Sequence, residues 1–442
     1  MCGRPEEPDH NLAELIQANR RTFRSVPEWT STIFFRYAVR ISLQVHTSEH
    51  SMARSSKTTA THRIPVRLPG RFHAIHLGQG ALDSLGWRIA ELQAGNAVFI
   101  ITSRRIGRLY LAPVLKSLRG AGFSSIAVHR MPDGERYKNA EQWEKVLTAM
   151  ARFDDSAERK MLVLNLGGGV VGDLGGFAAA SYHRGIPYVQ VPTTLLGAVD
   201  CGVGGKTGVN LGPFKNSVGA IWHPAMVFTD LSFLRTLSRR QLKSGLAEVI
   251  KYAVSMHPPL LSFLERKKDE ILALDSGALL HISRLCYRLK ADVVERDHRD
   301  TKGIRVVLNY GHTVGHAVES ASHYALTHGE SVSIGMVCAN DIALRLGLLE
   351  AAAARRVEHV LTHYRLPVRI GRCRRDDILT SMRNDKKFVA GKNRFVLLDK
   401  LGRTVVREGI PLEVIREVVE ARMVAARPNR GARRRRTSGK VS

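Results

Sequence analysis

The hydrophobic pattern of this chain changes period partway along, and the change organises everything else. Residues 97–102 (AVFIIT) form a short apolar, β-branched run, the pattern of a strand buried on both faces. A helical pattern over about 109–121 follows, then strand patterns at 125–129, 161–166 and 186–191, with a further helix near 140–152. Strand and helix alternating at this spacing predict right-handed crossovers and a doubly wound parallel sheet. Ligands of such sheets lie at the carboxyl ends of the strands. Beyond about residue 236 strands give way to helices, at 244–256, at 281–296 and from about 312, with a hairpin expected over 393–407. The division this predicts is an extension over 1–62, an α/β domain over 63–236, a helical domain over 237–426 and a tail over 427–442.

Composition narrows the class. The chain has 442 residues, 44% of them hydrophobic, enough for a sizeable core in two domains. It has no run of about 18 apolar residues, so no membrane span is predicted. The five cysteines, Cys2, Cys201, Cys286, Cys338 and Cys373, form no CxxC pair and read as reduced thiols in a cytoplasm. The net charge is +27, from 67 basic and 40 acidic residues. Residues 427–442 hold seven basic residues and no acidic one, a tail expected to be disordered and able to touch nucleic acid nonspecifically. Most of the excess lies in the body, which suits polyanionic ligands but equally suits an arginine-rich proteome. Residues 1–51 hold six acidic and six basic residues with no leader pattern, and Met52 opens MARSSKTTATH. That stretch is expected to be dispensable or to arise from an upstream start codon.

Four stretches carry candidate chemistry. In 305–330 (RVVLNYGHTVGHAVESASHYALTHGE), His312 and His316 stand four apart, which stacks two imidazoles on one helical face. His328 follows twelve residues later, where the helix is expected to have ended and the chain to turn back. Two imidazoles and one carboxylate make a common catalytic Zn²⁺ ligand set with an open position, and packed helical histidines are the other account. In 244–256 (SGLAEVIKYAVSM), Glu248 and Lys251 share one face of an otherwise apolar helix. A carboxylate there is costly unless it pairs with the lysine or binds a metal.

Residues 167–173 (GGGVVGD) match GxGxxG between a strand and a helix, but no ribose-binding acid follows about 20 residues on. A dinucleotide in a variant geometry is the reading, and Asp133, Glu135 and Lys138 stand at another strand end. Residues 200–216 (DCGVGGKTGVNLGPFKN) lack the first glycine of a P-loop. They read either as a loop offering the ammonium groups of Lys206 and Lys215 to an anion or as a surface hairpin.

Taken in order, GGGVVGDLGGFAAASYHRG, VPTTLLGAVDCGVGGKTGVN, SGLAEVIKY and NYGHTVGHAVE resemble the 3-dehydroquinate synthases, shikimate-pathway enzymes of the sugar-phosphate cyclase group, over about residues 65–420. The resemblance implies an α/β Rossmann-like NAD-binding domain followed by a mainly α-helical metal-binding domain. It places zinc, or cobalt, on Glu248, His312 and His328. It places NAD on Asp133, Glu135, Lys138, Gly167, Gly168, Gly169, Val170, Asp173, Thr193, Thr194, Asp200, Lys206 and Lys215. Substrate would meet Lys206, Asn216, Lys251, Lys290, Arg305, Asn309, His316 and Lys386, with Arg184 reaching a phosphate across a homodimer interface. Ser103 departs from the acid or amide the family often has there, which puts one ribose contact in doubt. The implied reaction turns 3-deoxy-D-arabino-heptulosonate 7-phosphate into 3-dehydroquinate and phosphate by transient oxidation, elimination, re-reduction and aldol closure. Rival readings are another sugar-phosphate cyclase, a metal-dependent polyol or alcohol dehydrogenase, and a basic nucleic-acid-binding protein.

Overall fold

A computed structural model of the chain describes residues 61–154, 160–212, 214–371, 373–383 and 393–424. The basic tail, Lys386 and all but the last two residues of the expected N-terminal extension lie outside them. Nine strands build the first half: β1 (His62–Leu68), β2 (Arg71–Gly78), β3 (Ala97–Ser103), β4 (Ser125–Met131), β5 (Met161–Gly167), β6 (Tyr188–Pro192), β7 (Lys206–Leu211), β8 (Phe214–Ile221) and β9 (Met226–Asp230). Helices α1 (Leu85–Ala90), α2 (Arg104–Gly120), α3 (Ala140–Phe153) and α4 (Gly169–Ser181) lie between them. The second half is helical: α5 (Arg239–Ser255), α6 (Pro258–Arg266), α7 (Lys268–Leu272), α8 (Ser276–Arg296), α9 (His312–Ala321), α10 (His328–Arg345), α11 (Ala351–His363), α12 (Arg375–Arg383) and α13 (Leu412–Arg422). The hairpin of β10 (Arg394–Lys400) and β11 (Arg403–Glu408) interrupts it where the sequence placed a hairpin.

The main sheet runs β1-β2-β9-β6-β5-β3-β4, with every neighbouring pair parallel except β1 and β2. From β3 the chain winds outward to β4, then returns to place β5 on the other side of β3. That reversal creates a crevice at the carboxyl ends of β3 and β5. Strands β3 and β5 are buried along their whole length, as continuous apolar runs require. One face of the sheet is covered by α1 and α2, the other by α3 and α4. Helix α4 sits very close to β5, because a Cβ on Gly175 would lie 2.0 Å from Asn165 Oδ1. A third apolar core runs from β1 and β2 into α5, α8, α9, α10, α11 and α13, so the sheet and the helices meet across shared side chains.

Two local differences from the sequence pattern have clear causes. Helix α2 begins at Arg104, five residues before the apolar period shows, because Ser103 caps it and accepts from Ile106 N at 3.4 Å. The β1–β2 hairpin escaped the pattern because its buried positions include His73 and His76 as well as aliphatic residues.

Those histidines carry a pH dependence. Burial, with His223 and Arg71 nearby, lowers His73 to about 3. Burial also lowers His76 to about 4, helped by Arg88 and Arg63, and lowers His223 to about 4, helped by Arg305 and Arg71. Each folded value lies below that of the unfolded chain, so unfolding takes up protons as the pH drops below about 6.5. Stability is therefore expected to fall between pH 7 and 5, by on the order of 1–2 kcal/mol for each fully effective histidine. Unfolding temperatures of the protein and of His73→Asn across this range test it, and equal slopes for the two would refute the contribution of His73.

Candidate active site

The nucleotide side of the site is built where β5 ends. Gly167 closes the strand, Gly168 is the helix N-cap without a capping side chain, and Gly169 and half-buried Val170 open the first turn of α4. This turn lies at the switch point of the sheet, where a helix N-terminus offers amide donors and a positive dipole end. Close walls fix it, since a Cβ on Gly168 would stand 3.0 Å from Thr194 Cγ2. Thr193 N donates to Gly167 O at 3.0 Å, and Thr194 Oγ1 accepts from Gly197 N at 3.0 Å.

From the next strand end, buried Lys138 sits 2.9 Å from Asp173 and 3.2 Å from Glu135. Burial disfavours its charge, but the two carboxylates more than offset that and keep the ammonium protonated. Glu135 also accepts from Asn210 Nδ2 at 3.0 Å, which ties it to β7. Asp133 accepts from Ser103 Oγ at 2.5 Å and from Arg105 N at 3.2 Å, so it serves the start of α2.

The metal side is built by three helices. Glu248 and Lys251 project from α5 into the core, His312 and His316 lie on α9, and His328 is the first residue of α10. His328 therefore does not sit in a turn after the preceding helix. A capping box of Thr327 and Glu330 starts a new helix at that residue, and α9 has already ended at Ala321. One ring nitrogen from each of His312, His316 and His328 lies within 4.8 Å of the other two. Glu248, fully buried, places Oε1 3.5 Å from His328 Nε2 and 3.7 Å from His312 Nε2, with Lys251 Nζ 2.5 Å from Oε2. A tetrahedral cation with ligands about 2.1 Å away puts its ligand atoms about 3.4 Å apart, so this set fits such an ion.

The second nitrogens are held from behind. His312 Nδ1 lies 3.1 Å from Tyr310 O, and His328 Nδ1 lies 3.3 Å from Glu319 Oε2. Burial works against a charge on His328, but Glu248 and Glu319 raise it to about 9. Burial alone would raise the Glu248 carboxyl; Lys251 and His328 hold it below the usual range instead. Two carboxylates, Glu248 and Glu319, thus flank His328.

Between the two sides lie the anion-binding candidates. Asp200, in a π-type turn, accepts from Lys290 Nζ at 2.6 Å and from Tyr252 OH at 2.9 Å. Burial opposes its charge, but Lys290 and Lys251 hold its carboxyl well below the usual range. Buried Arg305 donates through Nη2 to Gly204 O at 2.8 Å and through Nη1 to His298 O at 3.5 Å. Its backbone is set by Asp297, whose buried carboxylate accepts from Thr301, Lys302, Ile304 and Arg305 N at 2.9–3.4 Å.

Lys206 is 57% exposed and pairs with Asp300 at 2.5 Å. Residues 206–221 form the hairpin β7–β8, with Lys215 turned to Glu319 at 2.6 Å and Asn216 N bound to Asn210 Oδ1 at 2.9 Å. Half-buried Asn309 ends a 3₁₀ turn just before α9. Exposed Arg184 follows α4 at a left-handed φ of 64° and has no contact with this cluster among the described residues.

Residues 128–244 match the family model described as 3-dehydroquinate synthase N-terminal, and 245–388 match its C-terminal counterpart. A 3-dehydroquinate synthase of Desulforamulus reducens is 42% identical over 82% of this chain and 98% of its own. The chain belongs to the 3-dehydroquinate synthase family. A solved 2-epi-5-epi-valiolone synthase of Streptomyces hygroscopicus with NAD⁺ and Zn²⁺ bound superposes at TM-score 0.71, 26% identical over 84% of this chain and 98% of that one. A 2-deoxy-scyllo-inosose synthase complexed with carbaglucose-6-phosphate, NAD⁺ and Co²⁺ reaches 0.75 at 23% identity, covering 82% of this chain and all of the other, and shows the shared fold.

Sequence reasoning passed over Tyr252, Asp297 and Glu319. Glu319 was within reach, because it follows His312 by seven residues and so repeats on the same helical face. Asp297 carries no such signal, since its role is to collect backbone N–H groups from a loop. The Lys138 triad yields a stability prediction. Lys138→Met leaves Asp173 and Glu135 facing each other without the ammonium, and is expected to cost about 2–4 kcal/mol. An unchanged unfolding temperature in that variant would contradict it.

Proposed function

We propose that this chain converts 3-deoxy-D-arabino-heptulosonate 7-phosphate into 3-dehydroquinate and phosphate, as a carbon–oxygen lyase that also closes a carbocycle. One observation carries the proposal. A buried carboxylate with two imidazoles at metal-ligand spacing lies beside Lys251, Lys290 and Arg305, next to a dinucleotide-type turn. Relatives at 38–42% identity over about four fifths of the chain are 3-dehydroquinate synthases.

On this reading Glu248, His312 and His328 hold a divalent cation, Zn²⁺ or Co²⁺. Gly167, Gly168, Gly169, Val170, Asp173, Thr193, Thr194 and Asp200 frame NAD, with Asp133, Glu135, Lys138, Lys206 and Lys215 at its edges. When bound, the dinucleotide supplies reversible hydride exchange and the cation supplies Lewis acidity.

The chain's own groups bind and orient. Arg305 presents a planar fork whose two nitrogens are already aligned by Gly204 O and His298 O, which suits a substrate carboxylate. Lys290 and Lys251 put two ammonium groups beside Asp200 and Glu248, where developing negative charge on substrate oxygens is stabilised. His316, half-buried with its ring centre 5.1 Å from that of His312, would hold or move a proton, and Asn309 would help to orient the substrate. Lys206, Asn216 and Lys386 take the phosphate. Arg184, exposed on a left-handed turn, serves the phosphate of a second copy in a homodimer. Cysteine usage supports a cytoplasmic setting, and among the described residues no helix is long and apolar enough to cross a membrane.

Another cyclase would lack a substrate carboxylate for Arg305, and a simple dehydrogenase would have little use for so many ammonium groups. The test is purified protein with the heptulosonate phosphate, NAD⁺ and Zn²⁺. Phosphate release without net NADH is expected; net NADH from a simple polyol would instead establish a dehydrogenase. Glu248→Ala is expected to lose both metal and turnover, and unchanged metal content would remove it from the ligand set. Arg305→Lys is expected to lower kcat/KM about 10–100-fold, the range for losing hydrogen bonds to a charged group. Gly204→Ala should act in the same direction, because its Cβ would lie 2.4 Å from Arg305 Nη2 on a backbone at φ +116°. A Gly204→Ala enzyme with unchanged kcat/KM would show that the guanidinium does not depend on this wall.

A further inference from the structure

We propose that Glu319 is a positioning residue of the metal centre, holding His328 by its rear nitrogen while being held itself by Lys215 of the β7–β8 hairpin. This rests on the reading of Glu248, His312 and His328 as ligands. Glu319 lies on α9, is 5% exposed, and divides its two oxygens between two partners. Oε2 lies 3.3 Å from His328 Nδ1, and Oε1 lies 2.6 Å from Lys215 Nζ. The Lys215 ammonium also stands 5.7 Å from the ring centre of Tyr324, which covers the pair from the α9–α10 turn.

Three physical points give this arrangement a role beyond packing. A carboxylate at Nδ1 fixes the proton on that nitrogen, leaving the Nε2 lone pair turned toward Glu248. It also makes His328 a stronger donor than His312, whose Nδ1 faces the neutral Tyr310 carbonyl at 3.1 Å. Finally, a carboxylate this buried needs an opposite charge beside it, and Lys215 Nζ at 2.6 Å supplies one. Lys215 therefore sustains the charge that orients the ligand. Its hairpin also carries Asn210, the partner of Glu135 on the nucleotide side. One carboxylate thus joins a metal ligand on α10 to the strand pair beside the dinucleotide turn.

The test uses full-length metal-free protein titrated with Co²⁺ against a chelator, read by affinity and by the Co²⁺ ligand-field spectrum. Glu319→Ala is expected to bind about 10–100-fold more weakly, the range for losing such a partner, with a shifted spectrum. Glu319→Gln, which keeps an acceptor but no charge, should recover part of the affinity. Lys215→Met should weaken binding in the same direction by a smaller factor, and it stands in if the Glu319 variants fail to fold. Wild-type affinity and spectrum in Glu319→Ala, or in Lys215→Met where only that variant folds, would overturn the proposal. Glu248→Ala separates the two readings. If it loses Co²⁺ while Glu319→Ala does not, only the positioning role falls; if it binds as wild type, the ligand assignment itself falls.

Discussion

A carboxylate placed in the middle of an apolar helix is the constraint on which the rest of the helical half depends. Glu248 has no exposed surface, and most of the buried residues of α5 around it are apolar. Removing such a charge from water costs several kcal/mol unless opposite charges and donors surround it. Lys251, one turn on, meets one oxygen; the other oxygen is reached only if α9 and α10 come in closely enough to bring His312 and His328 to it. They do so through glycine. A Cβ on Gly335 of α10 would lie 1.8 Å from Gly311 O at the start of α9, and one on Gly329 would lie 2.1 Å from Ser244 O in α5. The backbones touch where side chains would otherwise hold them apart, and the imidazoles converge as a consequence.

The same rule governs the sheet side with different residues. Lys138 answers Asp173 and Glu135, and Lys290 with Tyr252 answers Asp200. Lys290 and Tyr252 come from α8 and α5, whereas Asp200 belongs to the turn after β6. Asp200 is thus paired across the seam with Lys290 and Tyr252, and the apolar core beneath is shared by strands and helices alike. A site for a dinucleotide, a cation and an anionic substrate needs charge of both signs in a small volume. Pairing opposite charges holds these groups in place, so little reorganisation remains for binding.

Much of this was legible in the chain. The strands at Ala97, Met161 and Tyr188 are aliphatic runs ended by glycine, proline or serine, and the glycine turn at 167–173 sits where a strand passes into a helix. Glu248 and Lys251 announced themselves as charges in an apolar period. What stayed hidden depends on contacts far apart in sequence. The start of α10 at His328 follows from a capping box whose Glu330 is also held by Arg240, and nothing in the local period shows that tie. The stretch 200–216 leaves a loop and a surface hairpin both open, because glycine-rich strands look like loops until a partner strand is known; in the structure 206–221 is a hairpin. Asp297 shapes Arg305 through backbone donors alone, which no residue pattern encodes.

Four donors crowd the cation position, since three imidazoles cluster and Glu248 faces two of them. Only three are needed if a coordination position is to stay open. Charge and burial separate the candidates. A divalent ion held by three neutral imidazoles would keep its full charge in a buried pocket and would leave Glu248 answered by Lys251 alone among the ions. With Glu248 as ligand, the carboxylate and the ion neutralise each other in part, and each removes a cost the other would bear. On the proposed reading His316, more exposed than His312, is not a ligand and meets the substrate instead. On the proposed reading, the helix spacing that first suggests His312 and His316 as a metal pair serves a different end: one imidazole meets the ion, and its neighbour one turn on meets the substrate.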